Sequence, residues 1–242
     1  LLDSLGERST LRTMARRGLS PTIKGFNSVL LCVFSPMGYI AVVDYDMGNL
    51  HSVCKGLEKV GGNPLVTDQT HVIDGATAIV LPGVGSFDPA VQHLRERGLE
   101  DVLKTAIAKG TPFLGICLGS QLLFDSSEEG QEKGLGIIPG QVKHFRSEPG
   151  LTIPHMGWNG LELNQPDLCL WQALPPDPQV YFVHSYYMAP LDPQVVAAST
   201  THGSQTIAAA IAKDNVMAVQ FHPEKSSTLG LKILANFVQK VL

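Results

Sequence analysis

The sequence predicts an α/β domain with a mostly parallel central sheet, flanking helices and antiparallel strand additions. Three features predict it. Apolar runs of strand length recur through the first half, amphipathic segments of helical period separate them, and short strand candidates set between Pro- and Gly-rich turns follow Gly134.

Residues 1–36 read as a dispensable extension ahead of a domain spanning 37–242. Between Arg8 and Lys24 the only charges are basic, and Ser and Thr are scattered among them, as in a transit peptide. The apolar patch Val29–Phe34 also fits a secretory signal, but it is short and no A-x-A site follows. Met37 lies directly before the first convincing strand, so a misassigned start is a third explanation.

The domain opens with Tyr39–Asp44, an apolar run suited to a strand buried on both faces. Leu50, Val53, Leu57 and Val60 then fall at helical spacing, and Gly61-Gly62 ends the helix. Thr77–Leu81 is a second buried strand, stopped by Pro82-Gly83. Helical segments over 88–97 and 100–109 lead to Gly110, and Pro112–Ile116 is the third strand, followed by an apolar helix over Ser120–Phe124. Past Gly134, strands are expected over 141–145, 180–183, 195–198, 207–212 and 216–220. A final helix from about Leu229 places Ile233, Leu234, Phe237, Val238 and Val241 on one face.

Composition narrows the function classes. The 242 residues are 44% hydrophobic, enough to bury the core of one large domain. With 18 Lys+Arg against 22 Asp+Glu the net charge is −4, which argues against a general nucleic-acid binder. No apolar run approaches the ~18 residues that cross a bilayer. The 4 cysteines, Cys32, Cys54, Cys117 and Cys169, are dispersed and form no CxxC pair, against both a metal knuckle and a disulfide scaffold. The expectation is a cytoplasmic protein without membrane or nucleic-acid partners.

Gly115-Ile116-Cys117-Leu118-Gly119 carries the most chemistry. It has the form G-x-nucleophile-x-G at a strand-to-helix turn, with Cys as the nucleophile. Small residues two before and two after let neighbouring backbone approach the bend, and the thiol stands exposed at the strand end. A helix N-terminus there favours a thiolate, and the Leu118 amide is placed to donate to an oxyanion. A small buried apolar Cys between incidental glycines is the competing reading. A thiol nucleophile needs a base, and Phe221-His222-Pro223-Glu224, at the end of a strand, supplies an imidazole with a carboxylate two residues on to fix its tautomer. The turn Pro82-Gly83-Val84-Gly85 ends the neighbouring strand and offers backbone N–H groups to the same carboxyl edge, where open α/β sheets bind ligands. There is no Walker pattern, and no G-x-G-x-x-G opens a helix after a strand, so neither a nucleotide cofactor nor a metal is expected.

These three motifs together resemble the class I, triad-type glutamine amidotransferases. Asp46-Met47-Gly48-Asn49, Pro154-His155-Met156-Gly157-Trp158-Asn159 and Phe182-Val183-His184-Ser185-Tyr186 are similar to the glutaminase subunits that serve imidazole glycerol phosphate synthases. The resemblance covers about 37–242. It implies a Cys117–His222–Glu224 triad, an oxyanion hole at Gly85 and Leu118, and a glutamine site formed by Gly83, Gly85, Gln121, Ser185 and Tyr186. It also implies a heterodimer with a (β/α)8-barrel cyclase subunit, to which ammonia passes through an internal channel in the service of histidine biosynthesis. A reorientation of the peptide at Pro82–Gly85 is expected to accompany activation. Met47, Asn49, Trp158 and Lys225 are interface candidates, although Trp158 equally suits a core and Lys225 a solvated surface. Another acceptor, as in vitamin B6 or anthranilate synthesis, and a stand-alone thiol hydrolase are the competing readings.

Overall fold

The computed structural model describes residues 38–242, and the expected extension over 1–36 lies outside the described residues. Along the chain run β1 (Ile40–Val43), α1 (Leu50–Lys59), β2 (Pro64–Thr67), α2 (Thr70–Asp74), β3 (Ala78–Gly83), α3 (Phe87–Glu96) and α4 (Leu99–Ala108). There follow β4 (Phe113–Cys117), α5 (Leu118–Gln121), β5 (Phe124–Ser127), β6 (Ile138–His144), β7 (His155–Gly160) and β8 (Glu162–Leu163). The remainder is β9 (Gln179–His184), β10 (Tyr186–Pro190), β11 (Val196–His202), β12 (Gln205–Lys213), β13 (Val216–Val219) and α6 (Ser227–Val241).

The main sheet has the order β2-β1-β3-β4-β13-β12-β10-β6-β5, with β11 and β8 attached beside β12. Its first five strands are parallel, and antiparallel pairing begins at β13–β12. Strands β7 and β9 form a separate antiparallel pair.

Period-2 alternation divides the core. Ile40 and Val42 of β1 face one cluster, with Val53 and Leu57 of α1 and Ile233 and Phe237 of α6. Ala41 and Val43 face the other, with Leu94 of α3 and Leu103 of α4. All four β1 residues are buried, which is why the run is apolar throughout instead of alternating.

The helix expected over Ser120–Phe124 is corrected. The helix is the single turn α5, and Phe124 opens β5, which pairs in parallel with β6. The run Leu122-Leu123-Phe124 is apolar because all three side chains are buried, a need that strand and helix satisfy equally. A single turn also carries little of the dipole that a full helix would place behind Cys117.

Candidate active site

The site forms where parallel strands end. Gly83 and Cys117 are the final register pair of β3 and β4, and Val219 of β13 pairs with Ile116 on the other side. Cys117 has φ +54° and ψ −112°, a conformation rare for a residue with a side chain and persistent only where packing enforces it. The enforcement is visible at its flanking glycines. A Cβ on Gly119 would overlap the Leu81 carbonyl oxygen, and one on Gly115 would lie 2.9 Å from Ser120 Cα. Ser120 Oγ donates to the Cys117 carbonyl and closes the bend.

His222 is delivered three residues beyond β13. Its backbone N–H donates to Tyr181 O at 3.0 Å, and Ser226 Oγ donates to its carbonyl at 2.7 Å. The ring Nδ1 meets Glu224 Oε1 at 2.8 Å, with the two side chains 3% and 1% exposed. A carboxylate only accepts, so Nδ1 carries the hydrogen and Nε2 is left for the sulfur. Burial opposes charge on His222, but Cys117 and Glu224 outweigh it through hydrogen bonding and attraction, raising its pKa to about 9. The imidazolium is therefore the resting form at neutral pH.

Cys117 and His222 share a cavity of about 270 Å³. Val84, Gly85, Leu118, Gln121, Ser185 and Tyr186 line it as well. Gly83 does not reach this wall: it is buried beneath it, paired with Cys117 and close to the Tyr45 hydroxyl. The Val84 N–H, between Gly83 and Gly85, donates to Met47 O at 2.7 Å and so faces away from the cavity. Gln121 Nε2 donates to Tyr186 O at 3.0 Å and to Gln220 Oε1 at 3.1 Å. Both amide hydrogens are thus engaged, and only its Oε1 is left to face a ligand.

Three wall residues escaped the sequence reading as individuals. Glu129 sits in a polar turn whose acids look interchangeable, yet its Oε2 accepts from Phe87 N at 2.8 Å and its side chain borders the cavity. His184 Nδ1 donates to Tyr186 O at 2.8 Å, and its Nε2 faces His155 Nδ1 at 3.1 Å. Burial, reinforced by neighbouring histidines, lowers His184 to about 3 and His155 to about 4, so both are neutral. Val183 completes the wall beside them.

The interface candidates lie at and beyond the cavity rim. Lys225 is exposed on the rim, and Met47 packs against Gly85. Asn49 precedes α1 and is half-buried. Trp158 is 54% exposed beside Met156 at 62%, which removes the core reading of the tryptophan. Among the described residues no helix is long and apolar enough to cross a membrane, and no cluster of three or more His, Cys, Asp or Glu is arranged to hold a metal.

A strained cysteine on a parallel-strand bend, faced by a carboxylate-oriented histidine, is the constellation of a thiol-dependent amidohydrolase. The family model described as glutamine amidotransferase class-I matches residues 41–241, and the chain belongs to that family. It is 95% identical over 205 residues to the imidazole glycerol phosphate synthase subunit HisH of Synechocystis sp., covering 85% of this chain and 98% of that relative. The corresponding HisH subunit of Microcystis aeruginosa is 70% identical, with 85% and 97% covered. Among solved structures, one described as a glutamine amidotransferase superposes with a TM-score of 0.66 at 20% identity, covering 84% of this chain and 98% of that one. The structure of PurLQS from Thermotoga maritima gives 0.67 at 21%, covering 85% and 100%. At such identities these two structures speak for the fold alone.

Proposed function

We propose that this chain is the glutaminase subunit of an imidazole glycerol phosphate synthase, releasing ammonia from glutamine for a (β/α)8-barrel cyclase subunit in a heterodimer. The observation that carries the reading is the 95% identity across 98% of a relative bearing that name. The fold by itself does not choose the acceptor, because differently named proteins, a glutamine amidotransferase and PurLQS from Thermotoga maritima, share it.

In this reading the Cys117 sulfur attacks the glutamine carboxamide carbon, forming a C–S bond and a tetrahedral oxyanion. His222, protonated at neutral pH, gives its proton to the departing nitrogen, and the C–N bond breaks to leave ammonia and a glutamyl thioester. The now neutral imidazole takes a proton from water, whose oxygen attacks the thioester. Glutamate leaves and the sulfur is restored. Glu224 holds the imidazole in one tautomer and stabilises its charge throughout.

The oxyanion would be received by the Leu118 amide and by the Pro82–Gly85 turn. With the Val84 N–H bonded to Met47 O, that turn lacks one donor, and rotation of its peptide would supply it. Such a site hydrolyses glutamine slowly until the partner's ligand favours the rotated form. Gln121, Ser185 and Tyr186 would hold the glutamine, and Met47, Asn49, Trp158 and Lys225 would meet the cyclase. Ammonia reacts only unprotonated, which gives a dry internal channel its physical purpose.

The test is a glutaminase assay with and without the cyclase subunit and its nucleotide ligand. Strong acceleration by both together is expected. Acceleration by the acceptor subunit of another synthase, and not by this one, would overturn the assignment.

A further inference from the structure

We propose that Gln220 is a positioning residue for the Cys117 sulfur, its side-chain amide donating to Sγ from the side opposite Gly83; the proposal rests on Cys117 being the nucleophile. Gln220 is fully buried, and its Nε2 lies 3.9 Å from Sγ. Its backbone is fixed independently, the N–H donating to Ala209 O at 2.8 Å.

Register places it there. Val219 pairs with Ile116, so the next residue on each strand brings Gln220 to the level of Cys117. Gln220 and His222 lie one and three residues beyond β13, where the chain bends at Gln220 and Phe221, and all three residues are buried. One strand end therefore delivers both the imidazole and the amide to the sulfur.

The direction of the amide follows from its neighbours. The Tyr186 carbonyl can only accept, so the Gln121 group facing it at 3.0 Å is the NH2. The second hydrogen of that NH2 points to Gln220 at 3.1 Å, so Gln220 turns its oxygen to Gln121. Its own NH2 is left facing Sγ. His184 Nδ1 donates to the same carbonyl at 2.8 Å, which helps to fix the acceptor on which the chain of amides depends. An N–H donor gains more from an anionic sulfur than from a neutral thiol, so the contact strengthens in the attacking form. It also restricts the side-chain rotation that would carry the sulfur away from His222.

The full chain is compared as wild type, Gln220→Glu, Gln220→Met and Cys117→Ala. Glutamate keeps the acceptor for Gln121 and removes the donor to sulfur; methionine removes both at similar length. Alkylation of Cys117 by iodoacetamide, read by peptide mass spectrometry, requires neither glutamine nor a partner. Glutamine hydrolysis is measured in the complex with the cyclase. Alkylation and kcat are expected to fall together by about tenfold in both Gln220 variants, with KM for glutamine within about twofold of wild type. Wild-type alkylation in either folded variant overturns the proposal, as does a raised KM at unchanged kcat. Failure of both variants to fold makes Gln220 structural and overturns it too. Continued glutamine turnover by Cys117→Ala would instead overturn the nucleophile assignment itself.

Discussion

Gly83 and Cys117 face one another as the terminal register pair of β3 and β4, so the turn proposed to receive the oxyanion and the sulfur proposed to generate it share one sheet edge. The pairing also explains why Gly83 lines no ligand wall. It is the floor on which the elbow rests, with Leu118 Cβ and Gly119 N both within 2.9 Å of where its Cβ would stand.

Replacing Cys117 by Ala is expected to abolish glutamine-dependent synthesis and leave ammonia-dependent synthesis by the cyclase intact. Assaying the complex with each nitrogen source separates the two. Full glutamine-driven turnover in the variant would exclude the thioester route.

His222→Ala is expected to lower kcat by about 10²- to 10⁴-fold, the usual weight of a general acid–base group. Binding to the cyclase, measured by titration calorimetry, should be retained. Loss of binding would assign His222 an architectural role.

The pH profile follows from the same residue. The departing nitrogen needs the protonated imidazole, which is present below about 9, so kcat/KM should fall as pH rises through that value. Glu224 is one of the groups that raise His222, and Glu224→Gln should therefore move the alkaline limb to lower pH. A limb that stays in place would show that Glu224 does not stabilise the imidazolium.

Stability should peak near pH 6.5. His222 has a raised pKa, so its stabilising contribution is complete below about 6.5 and is lost as pH rises through about 9. His155 and His184 have lowered pKa values, so their contribution is complete above about 6.5 and is lost as pH falls through about 4 and about 3. Thermal melting temperatures should therefore fall progressively as pH drops from about 6.5 to about 4. Replacing His184 by Phe should flatten that acid limb.

Gly119→Ala is expected to destabilise the fold by about 3 kcal/mol or more, because its Cβ would meet the Leu81 backbone and not a side chain that can move. Denaturant titration reads this as a lower midpoint at unchanged slope.

Cys117, His222 and Glu224 were legible because each sits in a short motif whose local geometry has a steric or tautomeric reason. The parallel half of the sheet was legible too, since a strand buried on both faces requires an unbroken apolar run. Glu129 and Gln220 were not, for their surroundings in sequence are ordinary and their partners lie 42 and 103 residues away. The sequence predicts a longer helix than the single turn α5 because burial alone makes Leu122–Phe124 apolar.

By itself the order of residues determined which stretches extend, which coil, where the sulfur bends out and which imidazole carries its own carboxylate. Most of these are signalled by periodicity, sterics and hydrogen bonding within a few positions. The tertiary structure alone decided that Val84 turns its N–H to Met47, that Trp158 is exposed, and that Gln121 and Gln220 align between a carbonyl and a thiol. Those outcomes depend on strand register and on which buried acceptors find donors, and such partners meet only when distant segments pack against one another.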